Sequence, residues 1–88
     1  MMCSAYERAQ RGLALLKGSI YELIKQAGPD GLRNVEVGKA LGIYAGHIGH
    51  EGHISRTLLE VMRSEGVVNQ TGDKKWVLAD LGGQDTEG

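Results

Sequence analysis

Aromatic residues are scarce in this sequence of 88 residues, and phenylalanine is absent. The only aromatic side chains are Tyr6, Tyr21, Tyr44 and Trp76. Hydrophobic residues still make up 41% of the chain, so the core must be built from aliphatic side chains, which suit packed helices. A chain of this length forms one domain and buries roughly 60–65% of the surface that its unfolded state exposes. We therefore expect one small, mainly helical domain.

The sequence also has little cysteine and no long apolar run. Its single cysteine, Cys3, cannot form an internal disulfide. The first residues lack the apolar run of a signal peptide, and no stretch approaches the roughly 18 apolar residues that indicate a membrane span. These absences favour a cytoplasmic protein that does not cross a membrane.

Charge is nearly balanced, with a formal net charge of −1, but its distribution is uneven. Residues 80–88 hold three of the 11 acidic side chains and no basic one, so residues 1–79 carry ten basic against eight acidic side chains. The composition of residues 80–88 predicts a disordered acidic tail after a single domain at residues 1–79. A charge of +2 on that domain permits nucleic-acid binding without requiring it.

The first 27 residues have the apolar spacing of a helix. Apolar residues recur in steps of three and four from Tyr6 to Ala27, and Ser4 and Glu7 have the spacing of a capping box. Because Gly12 and Gly18 interrupt the pattern, it fits either one helix over residues 4–27 or two helices that meet near Gly18. Residues 1–16 exceed what a three-helix module needs, and this N-terminal helical extension is expected either to pack on the domain or to offer a surface for a homodimer.

A turn and a short helix follow. Gly28, Pro29 and Gly31 end the first helix, and residues 32–33 can form a short extended segment that pairs with a later hairpin. Asn34 is a favourable N-cap for a helix over residues 35–41, which Gly42 closes.

Residues 46–54 repeat a glycine-histidine pair three times, with the histidines at His47, His50 and His53. Three interpretations remain open. The three imidazoles can serve as zinc ligands, although their spacing differs from that of helical zinc motifs. They can contact phosphates or bases, because glycine lets the backbone approach a ligand. They can also tie a long loop to the domain through hydrogen bonds.

A third helical segment is predicted from about His53 to residue 65, with Gly66 as its end. Ile54, Leu58, Val61 and Met62 are expected on its inner face, with Leu59 at the edge. A hairpin follows, with β-favouring runs at residues 67–70 and 75–79 around a turn in which Gly72 can adopt a positive φ. Trp76 is expected to face inward. Lys74 and Lys75 are expected at or near the hairpin tip.

The order of helix, short helix, longer helix and two-stranded hairpin resembles the winged helix-turn-helix superfamily. The residues that carry the resemblance are NVEVGKALG at 34–42, ISRTLLEVMRSEGVV at 54–68, and the hairpin up to Leu78. The resemblance implies an α+β, mainly α fold: a three-helix core with an N-terminal helical extension and a C-terminal β-hairpin wing. It also implies that a recognition helix at about 53–65 enters the major groove of double-stranded DNA, with the wing at 67–79 on the backbone.

The corresponding contact residues fall in the first turns of that helix and in the wing. They are His50, Glu51, His53, Ser55, Arg56, Thr57, Lys74 and Lys75. Arg56 stands out because a guanidinium can bridge guanine acceptors or hold a phosphate; as an alternative, it is an ordinary solvated arginine.

Two functions from different classes remain open. One is a DNA-binding protein that acts as a transcription regulator or a DNA-targeting module. The other is a protein-interaction or assembly domain on the same scaffold. Because no phosphate-binding loop, carboxylate pair or Ser-His-Asp set is found, neither an enzyme nor a cofactor is expected.

Overall fold

One long helix forms the N-terminal part of the protein. The computed structural model describes residues 2–44 and 52–79. Helix α1 spans Met2–Ala27 without a break, so the alternative of two helices that meet near Gly18 is wrong. The capping box predicted at Ser4 is also wrong, because Ser4 lies within the first helical turn.

A tight turn connects α1 to the second helix. Gly28–Asp30 forms one turn of 3-10 helix, and α2 spans Asn34–Ala40. Asn34 was predicted to cap this helix, but the N-cap is Arg33. The Arg33 backbone N–H donates to the Glu36 carboxylate at 2.8 Å, which satisfies one of the amide groups left unpaired at a helix start. Because Asn34 does not cap α2, its side chain can form hydrogen bonds with residues at the start of the third helix.

The chain ends in a third helix and a hairpin. Helix α3 spans His53–Ser64, strand β1 Val68–Gln70 and strand β2 Trp76–Leu78. The two strands are antiparallel, with Val68 opposite Leu78 and Gln70 opposite Trp76. Leu32 forms a bridge with Trp76, in which each backbone N–H donates to the other residue's carbonyl at 3.0 and 2.7 Å. This bridge confirms the extended pairing predicted for residues 32–33.

All three α-helices and both strands contribute to one core. Its buried side chains are Ile20, Ile24, Val37, Leu58, Leu59, Met62, Val68, Trp76 and Leu78. All are aliphatic except Met62 and Trp76. Trp76 is only 2% exposed, which confirms the inward position predicted for it. The α+β, mainly α class predicted from the sequence is confirmed: three helices and a two-stranded antiparallel hairpin among the residues described.

The face that helix α3 presents to the core overlaps only partly with the one predicted: Leu58 and Met62 are buried as expected. Ile54 and Val61 were expected inside but are 46% and 39% exposed, whereas Leu59, expected at the edge, is fully buried. The buried positions include Ser55, which is followed at steps of three and four by Leu58, Leu59 and Met62. The helix is therefore rotated so that a polar residue faces α2, and two branched aliphatic residues face solvent.

None of the described helices has the length and apolar character that crossing a membrane requires. The Gly-His loop up to Glu51 and the predicted acidic tail at residues 80–88 fall outside the described residues.

Candidate functional site

A cleft of about 510 Å³ lies between the start of α2, the outer side of α3 and the hairpin. Its lining residues are Arg33, Asn34, Val35, Tyr44, Arg56, Glu60, Gln70, Lys74 and Trp76. Three of these are basic, and each comes from a different part of the chain: Arg33 caps α2, Arg56 lies on α3 and Lys74 is in the hairpin turn. The tertiary fold therefore collects positive charge that is dispersed along the sequence.

Within the described residues, the positive charge of this cleft is opposed by one lining acid. None of Arg33, Arg56 and Lys74 forms a salt bridge to a described residue. The acid, Glu60, is bound by Arg63, whose Nη2 lies 2.6 Å from the Glu60 Oε1 atom. All three basic side chains are exposed, so they remain hydrated and available to an anionic ligand.

The hairpin turn holds Lys74 in an uncommon conformation. The Lys74 N–H donates to the Thr71 carbonyl at 3.0 Å, and the Thr71 N–H donates to the Lys75 carbonyl at 2.7 Å. This is a type I turn followed by a left-handed residue, a position at which glycine is usual. The left-handed residue is Lys74, with φ 66°, and not Gly72 as predicted. A left-handed non-glycine residue costs on the order of 1 kcal/mol, so the turn retains a charged residue where glycine would be more stable.

Asp73 reinforces this turn. The Thr71 hydroxyl donates to its carboxylate at 2.7 Å, and this bond is the largest of the effects that lower the pKa of Asp73 below its ordinary value of 3.8. A hydrogen bond from its own backbone and the positive charges of Lys75 and Arg33 lower the pKa further. Arg33 and Lys74 line the same cleft, so the start of α2 lies close to the hairpin tip.

A buried polar contact fixes the start of α3 against α2. The Ser55 hydroxyl, which is fully buried, lies 2.7 Å from the Asn34 Oδ1 atom, to which it donates. The Asn34 amide donates in turn to the Gly52 carbonyl at 3.1 Å. Gly52 adopts φ 87°, and a Cβ there would lie 2.8 Å from both the Asn34 amide nitrogen and the Tyr44 ring, so only glycine fits.

The residues predicted to contact DNA are divided among several locations. Arg56 and Lys74 line the cleft. Ser55 was predicted as a contact residue, but its buried hydroxyl is directed at Asn34 and cannot reach an external ligand. His53 and Thr57 line a different groove, between α3 and α1.

The other residues predicted to contact DNA either do not line the cleft or lie outside the described residues. Lys75 is only partly exposed and is not among the residues that line the cleft. His50 and Glu51 lie outside the described residues, as does His47. The zinc interpretation needs His47, His50 and His53 together, and across residues 2–44 and 52–79 no group of three potential metal ligands is found.

Sequence reasoning did not place Arg33, Glu60, Gln70 and Tyr44 in the contact set. A signal for Arg33 was available, because pairing of residues 32–33 with the hairpin brings Arg33 towards the hairpin turn. Tyr44 follows α2 and receives the Lys39 ammonium over its ring, 5.4 Å from the ring centroid. No local pattern marks Gln70 or Glu60 as cleft residues, since only the packing of the hairpin beside α3 brings them together.

Comparisons with known proteins do not assign this chain to a family. No protein-family model matches it, and comparisons with curated proteins and with solved structures found no significant match.

Proposed function

We propose that this protein is a DNA-binding module of the winged helix-turn-helix type that acts as a transcription regulator or directs other proteins to DNA. In this proposal α3 is the recognition helix, entering the major groove at about residues 53–65, and the hairpin at residues 67–79 is the wing on the backbone. The observation that carries the proposal is the convergence of Arg33, Arg56 and Lys74 in one cleft.

The chemistry of these three side chains suits a polyanion. Arg56 lies in the first half of α3, where a planar guanidinium can donate two hydrogen bonds to guanine or hold a phosphate. Arg33 and Lys74 flank it on α2 and the hairpin, where they are suited to phosphates on either side of the groove. The local charge matters more than the net charge of −1, because phosphate contacts are made at short range.

The proposal predicts salt-sensitive binding to duplex DNA. Three phosphate contacts give a slope of about −3 in a plot of log affinity against log salt concentration. Fluorescence anisotropy with a labelled mixed-sequence duplex, measured at several salt concentrations, tests this. Arg56→Ala should weaken binding by about 1–3 kcal/mol, and Lys74→Gly should reduce the slope by about 1. Glycine adopts the left-handed backbone conformation of residue 74 freely, so any change in DNA binding by Lys74→Gly is due to the lost charge and not to a disturbed turn.

A matched control is available on α1. Arg8 is exposed like Arg56, but it lies outside the cleft, so Arg8→Ala should leave both the affinity and the slope unchanged. The proposal is wrong if the unmodified chain shows no binding at low salt, or binding that is independent of salt.

The alternative function is a protein-interaction or assembly domain that does not bind DNA. The observation that favours it is the apolar groove between α1 and α3, which is separate from the basic cleft. A chain that fails the DNA test but forms a specific complex with a protein would support this alternative.

A further inference from the structure

The N-terminal half of α1 extends beyond the core. Residues 4–15 are all exposed, whereas Ile20 and Ile24 further along the same helix are fully buried. At 1.5 Å per residue, these twelve residues extend about 18 Å. A helical stretch that buries none of its side chains gains no stability from tertiary packing, so a partner that covered it would stabilise it.

This extension carries an apolar stripe that continues the covered face of the helix. Apolar residues follow at alternating steps of three and four, the spacing that packs one helix against another: Tyr6, Ala9, Leu13, Leu16, Ile20, Leu23 and Ala27. The second half of the stripe covers the core. The first half is uncovered, with Tyr6 67% and Leu13 40% exposed.

The uncovered stripe joins an apolar edge of α3. Leu13 and Leu16 line a groove of about 360 Å³ with Ile54 and Leu58, and Val61 follows Ile54 at the same edge, two helical turns on. Across the described residues, the large hydrophobic side chains that are exposed all belong to α1 or α3. Tyr6, Leu13, Ile54 and Val61 together expose roughly 400 Å² if each side chain offers on the order of 200 Å².

That area approaches what a stable dimer needs. Since roughly 60% of an interface is apolar, the exposed face corresponds to an interface of roughly 650 Å² per chain. Standard interfaces bury about 800 Å² per partner. Other residues on the stripe, the small Ala9 and the partly buried Leu16, add to the area.

The charge pattern around the stripe favours a second copy over a foreign charged partner. At 100° per residue, the charged residues of the extension, Glu7, Arg8 and Arg11, lie on the faces away from the stripe. Its flanking positions are Ala5, Gln10 and Gly12, which are uncharged and mostly small. Two such helices can approach closely without like-charge repulsion. Within residues 4–15, no charged flank selects a complementary partner, and Lys17 beyond them is paired with Glu65.

We propose that the protein forms a symmetric homodimer in which the exposed stripe of each α1 packs against the stripe and the α3 edge of the other copy. A two-fold axis satisfies both faces at once, because the same surface is used on each chain. Arg56 and Ile54 lie about 200° apart around α3, so the dimer leaves both basic clefts open. The dimer does not depend on DNA binding.

Sedimentation velocity of the full chain, in the absence of DNA, tests the proposal. The expected result is a concentration-dependent mass that approaches twice the 9.5 kDa of one chain. Leu13→Glu should raise the dimer dissociation constant at least about 100-fold, because it places a carboxylate within an apolar contact. Ile54→Glu should weaken the dimer as well. Both residues are exposed in the monomer, so circular dichroism should show an unchanged fold.

Leu15 provides the matched control. It lies two residues from Leu13 and is 69% exposed, but it lies about 200° away around the helix, off the stripe. Leu15→Glu should change the dissociation constant by no more than about twofold, and so should Arg56→Ala. The proposal is overturned by a chain that stays monomeric at every concentration, by a dimer that survives Leu13→Glu, or by Leu13→Glu and Leu15→Glu having equal effects. If Ile54→Glu dimerises as strongly as the unmodified chain, the edge of α3 is not part of the dimer interface.

Discussion

Ser55 illustrates how one polar residue can determine the orientation of a helix. Its hydroxyl is fully buried and donates to the Asn34 side chain, while a Cβ at Gly38 on α2 would lie 3.0 Å from the same hydroxyl. The contact therefore needs both a small polar residue on α3 and a residue without a side chain on α2. It brings α2 and α3 close together and directs Arg56, the next residue, towards the cleft.

Replacement of Ser55 tests this role. We expect Ser55→Ala to lower the free energy of unfolding by about 1–3 kcal/mol, because the Asn34 carbonyl oxygen loses its donor in a partly buried position. Urea denaturation measures the change. Ser64→Ala is the control: Ser64 is an exposed serine of the same helix, and its loss should change stability by no more than about 0.5 kcal/mol. Equal effects of the two substitutions would show that the buried contact contributes nothing particular to stability.

At the scale of the element, α1 is held by packing and not by intrinsic helix propensity. Gly12 and Gly18 disfavour a helix by about 1 kcal/mol each relative to alanine, yet the helix runs through both. Ile20 and Ile24 anchor its C-terminal half, and Lys17 binds Glu65 at the end of α3 at 2.9 Å. Tertiary contacts in the second half therefore offset the glycines, which explains why the sequence pattern alone left two helices possible.

Replacing Gly18 tests whether glycine destabilises α1. Gly18 lies on the exposed side of the helix, and a Cβ there would have no heavy atom within 4 Å. We expect Gly18→Ala to raise the free energy of unfolding by up to about 1 kcal/mol, measured as a higher urea midpoint. Gly52→Ala should have the opposite sign, because φ is 87° and the methyl group would collide with Asn34. A loss of stability in Gly18→Ala would contradict an uninterrupted, solvent-facing helix at this position.

The hairpin is expected to lose stability in acid. The pKa of Asp73 in the folded chain is below its ordinary value of 3.8, mainly because the Thr71 hydroxyl donates to the carboxylate. The resulting stabilisation is present at pH values above 3.8 and is lost as the pH falls through the lower pKa of the folded state. An NMR titration of the carboxyl group should find that lower pKa. Asp73→Asn should make the free energy of unfolding depend less on pH as the pH falls below about 5; an unchanged acid dependence would contradict the assignment.

At the scale of the whole molecule, α3 separates two surfaces of opposite chemistry. One side faces a cleft lined by Arg33, Arg56 and Lys74, and the other faces an apolar groove lined by Leu13 and Ile54. The two surfaces are proposed to bind DNA and a second copy of the chain, and neither blocks the other. Substitutions at Arg56 and Leu13 should therefore affect DNA affinity and dimerisation as separable properties.

Residue types and spacing alone predicted the α-helices and strands of this fold, except that they left open whether residues 4–27 form one helix or two. Helix and strand periodicity, the turn at Gly28 and Pro29, and the inward position of Trp76 are set by neighbours close in sequence, whose chemistry acts locally. Even the pairing of Leu32 with the hairpin followed from the extended character of its segment.

Only the tertiary structure decided which surface each residue joins. Arg33, Arg56 and Lys74 lie in three elements, and only packing brings them to one cleft. The rotation of α3 buries Ser55 and exposes Ile54, because the buried Ser55 hydroxyl can donate a hydrogen bond to the Asn34 side-chain oxygen on α2. Lys74 takes the left-handed position, and glycine does not, because the strand register places it there. Periodicity predicts that a helix or strand forms. Contacts with elements distant in sequence decide which of its faces points to the core.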